Sequence, residues 1–251
     1  MTDASRHPRE RVIAVIPTRW ASTRFPGKPL VDLAGKPLVR HCWEAACAAG
    51  GIDDVIVATD DQRIADAVIG FGGRVAMTRD DHPSGSDRLA EVAAAEPCDI
   101  IVNLQGDEPL VDPLDLAALA ATMRNDPDLP VATLCHRIDA AEAGNPNRVK
   151  VVRDAAGNAL YFSRAPIPFD RDGTGASPYL QHVGVYAYRR DVIRAFPSLP
   201  RPAEELAESL EQLRLLAAGY RIRVLEVAPT GPGVDTPEDL EVVKGLLAAR
   251  G

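Results

Sequence analysis

The chain has 251 residues, 46% of them apolar and 25% charged, with a formal charge of −8, which is enough for one large α/β domain or two small ones. The acidic balance excludes a general nucleic-acid binder, which needs a basic face, and no apolar run approaches the roughly 20 residues of a membrane span. The four cysteines show no C-x-x-C and the five histidines no metal-ligand spacing, so reduced thiols, a cytoplasmic location and no zinc site are expected. The N-terminus, M-T-D-A-S-R-H-P-R-E-R, has no apolar core, so residues 1–11 read as a short disordered leader rather than a signal peptide. A single domain is expected from 12 to 251, with a first half (12–128), a second half (129–234) and a closing helix (235–251).

Val12 to Ile16 is an apolar run that predicts a strand buried on both faces, stopped by Pro17, which cannot donate to a sheet ladder. No acidic residue lies between Arg11 and Val31, whereas Arg11, Arg19, Arg24 and Lys28 are basic and Ser22, Thr23 and Gly27 add hydroxyls and a flexible backbone position. As a loop residue, Lys28 is expected to be exposed. Open α/β sheets bind ligands at loops leaving the carboxyl ends of their strands. Fixed cations and backbone N–H groups there suit a polyanion such as a triphosphate. A solvated basic loop is the plainer reading. Helical spacing then predicts a helix over 38–49, followed by a strand at 55–58, a helix at 62–69 started by Asp60-Asp61, and a strand at 75–77. This alternation implies a mainly parallel sheet with right-handed crossovers.

The loop Thr78 to Ser86 is rich in turn residues, and Ser86 or Asp87 is expected to cap a helix from Arg88 to Ala95. Arg79 and Ser84-Gly85 exceed what a turn needs. The strand Ile100 to Leu104 runs into Gln105-Gly106-Asp107-Glu108-Pro109. Asp112 ahead of Pro113 supplies the next helix cap, which leaves Asp107 without a structural task and makes it a candidate Mg²⁺ ligand, since magnesium takes carboxylate oxygens and shares phosphate oxygens with a substrate. Beyond that helix come a strand at 131–135, a hairpin over 149–163 and a strand at 179–188. This section reads as antiparallel, a lid or dimer arm on the sheet. A last strand, 222–227, precedes Asp235-Thr236-Pro237-Glu238-Asp239. There Thr236 and Asp239 form a capping box and Asp235 is left over.

The pattern I-P-T-R-x-x-S-T-R-x-P-G-K-P-L at 16–30 resembles the signature loop of the sugar nucleotidyltransferases, most closely the 3-deoxy-manno-octulosonate (Kdo) cytidylyltransferases, or CMP-Kdo synthetases. M-T-R-D-D-H-P-S-G-S-D-R at 77–88 and V-N-L-Q-G-D-E-P at 102–109 resemble further motifs of that family. So do Y-F-S-R-A-P-I-P at 161–168, Q-H-V-G-V-Y at 181–186 and L-E-Q-L-R at 210–214. Ser86-Asp87-Arg88 departs conservatively from the commoner Thr-Glu-Arg. The resemblance covers 12–248 and implies a Rossmann-like α/β nucleotidyltransferase fold. It implies transfer of CMP from CTP to Kdo with release of pyrophosphate, for lipopolysaccharide assembly, in a Mg²⁺-dependent homodimer. It assigns Arg19, Ser22, Lys28, Arg79, Ser84, Gly85 and Gln105 to the nucleotide and Asp107 and Asp235 to the metal. Arg19, Lys28, Asp107 and Asp235 carry the chemistry. For the sugar acid, Arg164 suits the carboxylate, because guanidinium binds it bidentately, while His182, Tyr186, Glu211 and Gln212 suit hydroxyls. Each of these also has a bland reading: a surface charge for Arg164, a satisfied strand residue for His182 and a solvated helix face for Glu211-Gln212. No residue stands out as a general base. A sister enzyme using an acylneuraminate or amino-Kdo stays open, as does an inactive nucleotide-binding scaffold, although two retained carboxylates argue against the latter. A dinucleotide oxidoreductase is disfavoured, because no G-x-G-x-x-G follows the first strand.

Overall fold

The computed structural model describes residues 9–21, 25–175 and 177–250. Most of the expected leader, together with Ser22, Thr23 and Arg24 of the basic loop, lies outside these. Strand β1 (Val12–Thr18) leads through a tight turn at Lys28–Leu30 into a two-residue hairpin, β2 (Asp32–Leu33) and β3 (Lys36–Pro37), and helix α1 (Leu38–Ala48). There follow β4 (Asp54–Thr59), α2 (Gln62–Gly70), β5 (Arg74–Met77), α3 (Gly85–Ala95), β6 (Ile100–Asn103) and α4 (Pro113–Asn125). The second half contains β7 (Val131–Ile138), α5 (Ala140–Ala143), β8 (Lys150–Arg153), β9 (Ala159–Ser163), β10 (Tyr179–Arg189) and α6 (Arg190–Ala195). It ends with α7 (Ala203–Glu208), α8 (Gln212–Ala217), β11 (Ile222–Glu226) and α9 (Pro237–Arg250). No helix among the described residues is long and apolar enough to cross a membrane.

The central sheet has the order β11-β7-β10-β6-β1-β4-β5. Every strand in that row runs the same way except β10, which lies antiparallel between β6 and β7. Of the section expected to form an antiparallel lid or dimer arm on the sheet, β7 and β10 are strands of the central row itself, with β10 antiparallel to both its neighbours. Only the β8–β9 hairpin hangs off it, through β10. Strands β1 and β6 are buried along their whole length. One apolar layer places Val12, Ala14 and Ile16 against α1, α2 and α4, and the other places Ile13 and Val15 against α3, α6 and α8.

Pro17 does not end β1: it pairs with Ala58 and Thr18 with Thr59. The other neighbour, β6, stops pairing at Val15 opposite Asn103, so at Pro17 that flank of β1 carries no ladder and no ladder bond is lost. Helix α3 starts earlier than its pattern suggests. Its N-cap is Ser84, whose side chain accepts the Asp87 N–H at 3.2 Å, so Ser86 lies in the first turn instead of capping it. The caps at Asp61 and Asp112 form as expected.

Candidate active site

Three backbone features carry the basic loop and the carboxylates to the carboxyl ends of the parallel strands. Gly27 adopts a left-handed conformation (φ 72°) and donates its N–H to Trp20 O at 3.1 Å, folding the loop back so that Lys28 points over the strand ends. Gly106 passes so close to Thr18 that any Cβ would collide with the threonine side chain. A Cβ on Gly233 would lie 3.1 Å from Glu108 Oε1 and 3.2 Å from Asp107 O. The Gly231–Gly233 segment crosses the end of β6 at this point, pinned by the Val234 N–H to Asp107 O at 2.8 Å. That crossing sets Asp235 beside Asp107.

Lys28 Nζ donates to Asp107 Oδ2 at 2.7 Å and to Asp235 Oδ1 at 3.3 Å. Its side chain is only 12% exposed, against the exposed loop residue expected. One compact cation thus bridges carboxylates far apart in the sequence. Arg19, Ser84, Gly85 and Gln105 line the same cavity, of about 410 Å³. The capping box of α9 forms, with Thr236 N–H to Asp239 Oδ2 at 2.8 Å and Asp239 N–H to Thr236 Oγ1 at 3.3 Å.

A second cavity, of about 710 Å³, adjoins the first and shares Gln105 and Glu211 with it. His182, Tyr186 and Gln212 line it. Gln212 is buried, so it is not on a solvated helix face. Glu211 accepts from Ser86 Oγ at 2.7 Å, a bond that exists because Ser86 is free of capping. Thr133 Oγ1 donates to Val185 O at 2.8 Å, which leaves its lone pairs to accept from His182 Nε2 at 3.0 Å. Burial pushes the His182 imidazole down to about 3, so it enters neutral chemistry as a hydrogen-bonding group.

Two expected residues stand apart from both cavities. Arg79 is largely exposed and faces Asp81 at 3.4 Å. Arg164 does not reach the larger cavity. Its guanidinium is spent on the backbone carbonyls of Glu208 at 2.7 Å, Pro146 at 3.0 Å and Ser209 at 3.5 Å. Lys150, fully buried, completes this staple with bonds to the carbonyls of Asn145, Arg148 and Arg164 at 3.0, 2.5 and 2.6 Å. The guanidinium that does line the larger cavity is that of Arg148, held by Gln181 Oε1 at 2.7 Å and Glu142 Oε1 at 3.0 Å. Sequence reasoning missed Arg148, because no periodicity or motif marks it. It also missed Glu108, which lines the larger cavity and is pushed up to about 8, by burial first and then by Asp107 and Asp235.

A mainly parallel sheet with cations and paired carboxylates gathered at its strand ends fits the nucleotidyltransferase class. The solved structure of a nucleotidyl transferase from Methanothermobacter thermautotroptrophicus (18% identity, TM-score 0.63, covering 96% of this chain and 99% of that one) shares the fold. The chain belongs to the cytidylyltransferase family, whose profile matches residues 13–222. It is 56% identical over 238 residues (95% of this chain, 96% of the relative) to a protein of Escherichia coli named 3-deoxy-manno-octulosonate cytidylyltransferase. A Solibacter usitatus protein of the same name is 52% identical over 240 residues, 95% of each chain. The solved structure of a CMP:2-keto-3-deoxy-manno-octonic acid synthetase complexed with CTP superposes with a TM-score of 0.94 at 54% identity, covering 96% of this chain and 100% of that one.

Proposed function

We propose that this chain transfers a cytidylyl group from CTP to 3-deoxy-manno-octulosonate, giving CMP-Kdo and pyrophosphate and activating the sugar acid for lipopolysaccharide biosynthesis. The observation that carries this is the junction of the two cavities. A cavity with Arg19 and a Lys28-bridged carboxylate pair meets a polar one at Gln105 and Glu211. A triphosphate held in the first presents its α-phosphorus to a hydroxyl held in the second, and such a displacement depends on positioning and charge neutralisation more than on covalent catalysis.

Asp107 and Asp235 suit Mg²⁺: both are hard oxygen donors, and Lys28 already shows that one small cation reaches both. A bound Mg²⁺ would neutralise charge on the phosphates. Arg19 and Lys28 hold phosphate oxygens, and the Ser84-Gly85 backbone and Gln105 face the nucleoside. His182, Tyr186, Glu211 and Gln212 orient the sugar, with Arg148 the guanidinium that lines the same cavity and suits its carboxylate. The chain acts in this reading as a cytoplasmic homodimer, which light scattering on the purified protein tests. The substrate is tested by giving the enzyme CTP with an equimolar mixture of Kdo and an acylneuraminate and identifying the products by mass. CMP-Kdo as the main product is expected, and a preference for the acylneuraminate overturns the assignment.

A further inference from the structure

Parallel strands β1, β4 and β5 end in register, with Thr18 beside Thr59 and Thr59 beside Met77. The next residue of each strand is therefore one of a row along the sheet's carboxyl edge: Arg19, Asp60 and Thr78. Arg88, from α3, reaches beneath this row. It is fully buried, bonds the Thr78 hydroxyl through Nη1 and sets Nη2 3.2 Å from Asp60 Oδ2, an ion-pair distance outside hydrogen-bond geometry. Four polar atoms here are buried without a hydrogen-bond partner among the described residues: Arg88 Nε and Nη2, Asp60 Oδ1 and Arg19 Nη2. Burial works against the charge of Arg88, Asp60 supports it and Arg19 opposes it, with Glu91 a smaller support. Asp60 is thus ion-paired to Arg88 and not to Arg19, whose charge opposes that of Arg88, and the surplus positive charge lies under the smaller cavity, whose wall includes Arg19.

From this geometry we propose that Asp60 and Arg88 are positioning residues that set the anion affinity of the smaller cavity by controlling how much of Arg19's charge is left for a ligand. The inference rests on the reading of that cavity as the triphosphate site. An anion entering it satisfies a charge that the protein leaves uncompensated in a poorly solvated place. Removing Arg88 frees Asp60 to pair with Arg19, so the protein's own carboxylate competes with the ligand. Neutralising Asp60 leaves both guanidiniums demanding an anion. The two changes act in opposite directions, whereas a merely structural cluster would lose affinity either way.

The test is calorimetric titration of the full chain with inorganic pyrophosphate, in the absence of sugar. Arg88→Met is expected to weaken binding about tenfold, Arg88→Lys to retain most of it, and Asp60→Asn to bind as tightly as the unaltered protein or several-fold more tightly. Weakening by Asp60→Asn to the level of Arg88→Met overturns the inference and returns the cluster to a packing role. If Asp60→Asn does not fold, the comparison of Arg88→Met with Arg88→Lys decides: equal affinities overturn it, and a gap of about tenfold supports it. If the unaltered protein binds neither pyrophosphate nor CTP, the triphosphate reading itself fails, and this inference with it.

Discussion

Lys28, Asp107 and Asp235 show how neighbouring residues acquire different tasks. Lys28 holds two carboxylates together where mutual repulsion would part them. Lys28→Met should lower the melting temperature in EDTA by the equivalent of about 1 kcal/mol, with part of the loss recovered in Mg²⁺, and should slow pyrophosphate release roughly a hundredfold. An unchanged rate would return the loop to a solvated basic segment. At the start of α9, Thr236 and Asp235 separate stability from chemistry. Thr236 caps the helix, so Thr236→Ala should cost about 1 kcal/mol and spare turnover. Asp235→Asn should abolish most turnover yet leave metal-free stability within about 0.5 kcal/mol. Melting curves and rates on both variants check this, and a stable, active Asp235→Asn would contradict the metal assignment. Thr236 was legible because a capping box is local. Arg164 was not, because its guanidinium's destination depends on the Pro146 and Glu208–Ser209 carbonyls, brought to it only by the fold.

Among the elements, the loop before β8 and the turn between α7 and α8 form walls of the larger cavity, and both are fixed by buried charge. Lys150 bonds three carbonyls, so Lys150→Met leaves buried acceptors unpaired. A loss of about 3 kcal/mol is expected, with KM for the sugar acid rising more than KM for CTP. Equal rises in both constants would show that the staple does not serve the sugar cavity. Helices α7 and α8 are joined by Glu205 and Arg214, paired at 2.8 and 2.5 Å with the Glu205 side chain 2% exposed. Burial acts to raise the Glu205 carboxyl, but hydrogen bonds from Arg214 and Arg201 outweigh it and hold the group below the ordinary value of 4.5. The folded pKa being the lower one, this stabilisation is complete above the unfolded value and is lost as pH falls through the folded one. Glu205→Gln should therefore cost about 3 kcal/mol at pH 7, and the gap to the unaltered protein should narrow as pH falls below the ordinary carboxyl value of 4.5. A gap constant with pH in urea titrations would contradict the pairing.

Across the whole molecule, the parallel half follows from its sequence because apolar runs of β1, β4 and β6 alternate with helices that close on nearby residues. The placement of β10 was not legible. Its alternation is broken by a bulge between Val183 and Tyr186, and its pairing with both β6 and β7 depends on distant segments. The same non-locality hid Pro17, tolerated because β6 leaves β1 just before it, whereas the Ser84 cap is local and was missed because Ser84, Ser86 and Asp87 are all capping residue types. The carboxylates were readable as residues without a structural task. Their convergence on one cation came only with the crossing of Gly231–Gly233 over β6. That convergence, beside a second cavity, supports cytidylyl transfer at the junction of the two. Its most direct test is pyrophosphate release measured with each nucleoside triphosphate, with and without Kdo, in Mg²⁺ and in EDTA. Release is predicted only when CTP, Kdo and Mg²⁺ are present together. Full-rate release without Kdo, with ATP in place of CTP, or in EDTA would contradict it.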